Sequence, residues 1–177
     1  MDLQAEVDFL KRAIRDVPDF PKKGIVFKDI TTLLKDPVTF RRAVDLFVVL
    51  CGTESVDKVV AVESRGFILG SLVANRLGAG FVPVRKPGKL PARTVKATYA
   101  LEYGTDSLEI HEDAVSAGDR VLIVDDVIAT GGTARAVGDL TKKLGGAVAA
   151  YAFLVELTFL NGREKLQGHK VLSLIRY

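Results

Sequence analysis

The run "VLIVDDVIATGGTARAV", Val121 to Val137, puts two adjacent carboxylates, Asp125 and Asp126, at the end of an apolar stretch and follows them with Ala-Thr-Gly-Gly-Thr. A strand made only for packing avoids such a pair, because a buried carboxylate is costly unless it is paired or hydrogen-bonded. Gly131 and Gly132 let backbone N–H groups approach a ligand closely, and Thr130 and Thr133 add hydroxyl donors. A helix starting behind them contributes its dipole. Those parts make a phosphate cradle. The acids before it stand about one sugar's width away and accept hydrogen bonds from vicinal hydroxyls, so the whole stretch suits a ribose 5-phosphate. Taken by itself, the same pattern also describes a capped helix beside solvated acids. It is not a Walker loop, since no GxxxxGK[ST] occurs, and no GxGxxG follows a strand.

Such a site needs a scaffold, and the hydrophobic pattern supplies one. Leu3, Val7, Leu10 and Ile14 have the spacing of an amphipathic helix. Asp36 and Pro37 open a second helix, with Phe40, Val44, Phe47 and Val48 on one side. The short apolar runs 57–64, 80–86, 119–127 and 147–157 read as strands, and "KVLSLIRY" closes the chain. Helices over 65–78 and from about 133 to 144 lie between them. This alternation predicts an α/β fold with a mainly parallel central sheet flanked by helices, and open sheets of that kind bind ligands beyond the carboxyl ends of their strands. Two regions break the alternation. "VPDFPKKGIVFKDITTLLKDP" is a Pro- and Gly-punctuated stretch, unusually apolar for a loop. "TYALEY" and "SLEIHE" flank Gly-Thr-Asp as a hairpin, preceded by a surface loop rich in Pro, Gly, Lys and Arg.

Composition narrows the class. A chain of 177 residues, 48% hydrophobic and 27% charged, suits one globular domain spanning 1–177. The net charge of +3 is spread without a basic block interleaved with aromatics, which argues against nucleic acid and suits a small anion. A single cysteine, Cys51, forbids an internal disulfide and disfavours a zinc site. No run approaches the ~20 apolar residues of a membrane span. The first residues lack the pattern of a secretory signal, so the expected location is cytoplasmic.

"VLIVDDVIATGGT" resembles the signature with which phosphoribosyltransferases of the type I fold bind 5-phosphoribosyl 1-pyrophosphate (PRPP). "PDFPKKGIVFKDITTLL", "ESRGFILG", "RKPGKLP", "LEYGTDSLEIH" and "LVELTFLNGREKL" extend the resemblance over nearly the whole chain, toward the adenine-using branch of that family. The resemblance implies a type I phosphoribosyltransferase fold with a small flexible hood, contributed by about 18–36 and by a lid hairpin at about 87–113. It also implies transfer of the phosphoribosyl group from PRPP to N9 of adenine, giving AMP and pyrophosphate in purine salvage. Mg²⁺ would arrive on the pyrophosphate substrate, with no dedicated protein site, and the chain would form a homodimer.

Residue roles follow from the same resemblance. Asp125 and Asp126 would hold the ribose hydroxyls, and Ala129, Thr130, Gly131, Gly132 and Thr133 the 5-phosphate. Glu63, Ser64 and Arg65 fall at the pyrophosphate loop, with Lys86 and Lys89 resembling further contacts, of which the family can draw one from the partner subunit. Val26 and Lys28 would offer backbone groups to the adenine edge, Phe27 would stack on the base, and Leu157 would close its other face. Glu102 falls where the family has its catalytic acid/base, and Tyr103 would help seal the lid. From the residues themselves, Arg65 could equally start a helix and pair with Glu63. Phe27 and Leu157 could be core residues, and Glu102 a solvent-facing one. A hypoxanthine- or guanine-using relative, or a PRPP-binding regulator, also fits the phosphate signature.

Overall fold

In the computed structural model, the described residues are 3–52, 54–100 and 105–177. They group into two compact units, residues 1–47 and 48–177. In the first unit, helix α1 (Leu3–Ala13) buries Leu10. The expected apolar face is partial, because Leu3 is exposed. The punctuated stretch after it is more ordered than its Pro and Gly content suggests. Strands β1 (Arg15–Pro18) and β2 (Val26–Asp29) pair antiparallel, and α2 (Thr31–Lys35) follows. Helix α3 (Pro37–Cys51) starts as its sequence requires: Asp36 Oδ1 accepts the N–H groups of Val38 and Thr39 at 3.1 and 2.8 Å. Its last four residues belong to the second unit, where Cys51 is fully buried and its thiol is pushed up to about 12 by burial.

The second unit is built on a five-stranded sheet in the order β4-β3-β7-β8-β9, every neighbouring pair parallel. Its strands are β3 (Lys58–Val62), β4 (Gly80–Val84), β7 (Arg120–Ile128), β8 (Ala147–Glu156) and β9 (Val171–Arg176). The runs Val121–Val124 and Ala150–Val155 are buried at every position, as strands covered on both faces must be. The covers are helices α4 (Arg65–Leu77) and α5 (Gly132–Lys143). On one face Val60, Ile123, Tyr151 and Phe153 share a core with Val137 and Leu140 of α5. On the other, α4 comes so close that a Cβ on Gly70 would lie 2.5 Å from that of Ala61.

The hairpin consists of β5 (Thr94–Ala100) and β6 (Thr105–His111). Its strands reach further than the sequence reading placed them. Residues 94–97, read as loop, are strand. Thr105 and Asp106, read as turn, open β6. The reason is burial: Val95, Ala97 and Tyr99 alternate onto the core that Leu108 and Ile110 enter from the partner strand. Among the described residues no helix is long and apolar enough to cross a membrane.

Candidate active site

β7 carries the paired acids to the end of the sheet. Asp126 is buried and accepts the Nε–H of Arg65, the first residue of α4, in a close ion pair. Its neighbour Asp125 points the other way, as successive strand residues do. Asp125 Oδ1 accepts the Asp126 N–H at 2.8 Å. A Cβ on Gly66 would stand 2.8 Å from that same oxygen, so the carboxylate lies against the start of α4. Burial holds the Asp125 carboxyl well above its usual range, and the negative charge and hydrogen bonding of Asp126 push the same way. The Asp126 N–H and Arg65 pull weakly against them.

After the acids, the chain turns through Ala129–Gly131 into α5. Gly131 sits at φ +77°, in the left-handed region, and caps α5 without any side-chain hydrogen bond. The N–H groups of a first helical turn have no intrahelical acceptor, so this end suits an anion. A cavity of about 90 Å³ opens here, lined by Asp125, Val127, Ile128 and the whole segment Ala129–Ala134. Asp125 and all five residues expected to cradle phosphate therefore share one cavity. Asp126 is not in its lining.

The loop between β3 and α4 gathers cations. Glu63 accepts from Arg85 Nε at 2.7 Å, from Lys89 Nζ at 3.1 Å and from the Lys86 N–H at 3.1 Å. Desolvation raises the Glu63 carboxyl, but these three donors outweigh it and hold it below its usual value. Glu63 thus arranges positive charge at this end of the sheet. Ser64, joined to it by a cis peptide, is exposed.

A polar chain ties the hairpin to the same region. Thr133 Oγ1 donates to the Tyr99 hydroxyl at 3.3 Å, Tyr99 donates to Asp106 at 3.4 Å, and Asp106 pairs closely with Lys86. The Lys86 hydrogen bond chiefly holds Asp106 below its usual range, and the same bond raises Lys86. Burial is the main cause that raises the Tyr99 phenol. Arg85, Tyr99 and Asp106 are not among the residues singled out from sequence. Only the adjacency of Arg85 to Lys86 could have suggested one of them.

The remaining expected residues make the following contacts. Leu157 is half-buried just beyond β8, and its N–H donates to Ile128 O at 3.0 Å. In the first unit, β2 carries Val26, Phe27 and Lys28. There Phe27 packs against Phe20 at 5.2 Å in a T-shaped contact, and Lys28 Nζ donates to Asp16 at 2.7 Å. Beside them, hydrogen bonds from Thr31 and Arg15 bring the Asp29 carboxyl down to about 2. Glu102 and Tyr103 lie outside the described residues. Among the described residues no three of His, Cys, Asp and Glu group closely enough to hold a metal ion.

A parallel sheet whose middle strand ends in paired acids and feeds a glycine turn at a helix start defines a phosphoribosyl transferase domain, and the model of that family matches residues 31–171. The chain is 61% identical over 168 residues to the adenine phosphoribosyltransferase of Thermotoga neapolitana, covering 95% of this chain and 99% of that one. Among solved structures, adenine phosphoribosyltransferase from Thermoanaerobacter pseudethanolicus superposes with a TM-score of 0.94 at 54% identity, covering 97% of this chain and 99% of that one. The Saccharomyces cerevisiae enzyme, complexed with an imino-altritol bisphosphate and adenine, gives 0.92 at 43% identity, with coverage of 97% and 99%. The chain belongs to the adenine phosphoribosyltransferase family.

Proposed function

We propose that this protein transfers the 5-phosphoribosyl group of PRPP to N9 of adenine, releasing pyrophosphate and forming AMP. The observation that carries the reading is the single cavity shared by Asp125 and the Ala129–Thr133 turn, beyond the end of β7. The turn takes the 5-phosphate, and Asp125 and Asp126 accept from the ribose hydroxyls. Arg65, Lys86 and Lys89 meet the pyrophosphate, with Glu63 and Ser64 shaping that loop. Arg65 suits this work because its planar fork matches phosphate oxygens.

The C1′–O bond breaks with its electron pair leaving on pyrophosphate. N9 attacks the opposite face of an oxocarbenium-like sugar, with inversion. The proton given up by the purine passes to Glu102, acting as general base. Closure of the hairpin, with Tyr103 beside Glu102, keeps water from the activated sugar. The family resemblance assigns the base to Val26 and Lys28 through their backbone groups, to Phe27 by stacking, and to Leu157. Mg²⁺ would be held mainly by the oxygens of PRPP, the hard donors it prefers, with Asp125 and Asp126 as the nearby protein oxygens. When bound it neutralises charge on the pyrophosphate. A cytoplasmic homodimer serving purine salvage completes the reading, each chain acting as one phosphoribosyltransferase domain with a hood from 18–36 and 87–113.

Pyrophosphate release, measured with PRPP and Mg²⁺ in parallel with adenine, hypoxanthine, guanine and no base, tests it. Release with adenine only is the expected result. Release with another base keeps the PRPP site and overturns the base pocket. PRPP binding with no release for any base makes the protein a sensor, not an enzyme.

A further inference from the structure

The turn that would hold the 5-phosphate contains two consecutive glycines, so its own sequence gives it little stiffness. Its firmness has to come from what stands behind it. That neighbour is Gly162, at the start of the short helical turn Gly162–Leu166. A Cβ on Gly162 would lie 2.3 Å from the carbonyl oxygen of Ala129, 2.9 Å from Ile128 Cγ1 and 3.1 Å from the Gly131 nitrogen. The approach is reciprocal: a Cβ on Gly131 would lie 2.3 Å from the Gly162 carbonyl oxygen. Main chain rests on main chain here, with no space for one added carbon on either side.

Gly162 is itself held on both sides. Before it, Asn161 adopts φ +52° and its N–H donates to Thr158 O at 3.0 Å. After it, Arg163 reaches back to the sheet with its whole guanidinium. Nε and Nη2 donate to the two carboxylate oxygens of Glu156 at 2.5 and 2.7 Å. Nη1 donates to Val171 O at 2.8 Å, and Nη2 also to Ser173 Oγ at 3.2 Å. Glu156 is buried, and Leu166 anchors the far end of the segment in the core. A two-pronged, mostly enclosed pair of this kind fixes direction as well as distance. The backing of the turn is thereby referred to β8 and β9 and not to the loop itself.

We propose that Asn161–Gly162–Arg163 is a positioning element for the 5-phosphate turn: Gly162 forms its rear wall, and the Arg163–Glu156 fork sets where that wall stands. The segment touches no reacting atom. Its effect is confined to how well the turn's N–H groups converge on phosphate, so it acts on the phosphate end of PRPP and leaves the base alone. This deepens the proposed reading of the turn and rests on it.

Two variants test it, Gly162→Ala and Arg163→Lys, the second keeping the charge and losing the fork. For each, KM for PRPP, KM for adenine and kcat are measured, together with the Kd of ribose 5-phosphate and its hydrogen-exchange footprint. Displacing a binding turn by a fraction of an ångström to 1 Å should raise KM for PRPP and the Kd of ribose 5-phosphate about tenfold or more in Gly162→Ala, with adenine KM changed less than about threefold. Arg163→Lys should move the same two constants in the same direction by a smaller factor. If Gly162→Ala does not fold, Arg163→Lys decides. Unchanged PRPP and ribose 5-phosphate constants in a folded variant overturn the proposal, as does an equal loss for PRPP and adenine. A wild-type footprint that spares residues 129–133 overturns the 5-phosphate reading, and the proposal falls with it. A normal wild-type footprint with unaffected variants overturns the positioning role only.

Discussion

Asp125→Asn should make the protein more stable and a poorer binder of PRPP, and the opposite signs make the prediction sharp. Asp125 is enclosed beside a second carboxylate, and the cation of the region pairs with Asp126. Its hydrogen bond from the Asp126 N–H at 2.8 Å needs only an acceptor oxygen, which Asn retains. Leaving a buried polar group poorly compensated costs about 1–3 kcal/mol, more when it is charged. A neutral, nearly isosteric replacement should therefore stabilise by about 1 kcal/mol, a Tm increase of about 2–4 °C for a chain of this size.

The pH dependence follows from the same environment. The folded carboxyl binds its proton more tightly than the unfolded value of 3.8. The native state then holds more protons than the unfolded state between the two values. That contribution to stability is fully present below pH 3.8 and is lost as pH rises through the folded value. Asn removes the step. Against this, replacing an ionised acceptor for ribose hydroxyls loses about 1.5–3 kcal/mol, or roughly 10- to 150-fold in PRPP affinity. Thermal melts of both proteins from pH 4 to 8, with calorimetric titration of PRPP, make the comparison. A lower Tm at pH 7 would show that the Asp125 charge is compensated, and unchanged PRPP affinity would remove the ribose contact.

Three other outcomes follow from neighbouring geometry. Gly66→Ala places a methyl 2.8 Å from Asp125 Oδ1 and 3.2 Å from Val124 O, so overpacking should destabilise by about 1–3 kcal/mol and weaken PRPP binding; a chemical melt and a PRPP titration check both. Asp29, with its carboxyl brought from 3.8 down to about 2, contributes stability above the unfolded value that is lost as pH falls toward 2. Wild type should therefore lose more stability than Asp29→Asn between pH 4.5 and 2.5 in urea titrations. Glu102→Gln should cut turnover by about 10²- to 10⁴-fold while PRPP affinity holds, and near-normal turnover in a steady-state assay would remove it as the acid/base.

What could be read from sequence divides along physical lines. The strands of the parallel sheet are legible because burial on both faces demands continuous apolar runs, as at Val121–Val124. Asp36 and Pro37 announce α3 because a cap is a local device. The glycine turn into α5 is legible for the same reason, since acids, glycines and threonines are contiguous. The hairpin is misjudged at its start because Lys96 and Thr98 interrupt Val95, Ala97 and Tyr99, and the alternation is short beside a Pro-rich loop. Contacts between distant residues leave no local mark. Arg85 meets Glu63 across 22 positions, and Thr133 meets Tyr99 across 34. Gly162 is a plain turn glycine until the fold lays it against Ala129.

The ion pairs at this end of the sheet bear on how PRPP is taken up. Arg65 is engaged with Asp126, Lys86 with Asp106, and Lys89 and Arg85 with Glu63. On the proposed reading, PRPP would meet cations that already have carboxylate partners, and its affinity would be the difference between new and old contacts rather than the sum of the new. The side chains differ in what they must surrender. A lysine approaches as a point charge, so on that reading Lys86 turning to pyrophosphate would loosen Asp106 and, through it, Tyr99 and Thr133. An arginine carries five donors in a rigid fork. On the same reading, Arg65 keeps Nε on Asp126 as its guanidinium meets phosphate, so Asp126 aims the fork. The two acids side by side on β7 would then, as proposed, serve the ribose together, and Asp126 in addition sets the direction of a cation.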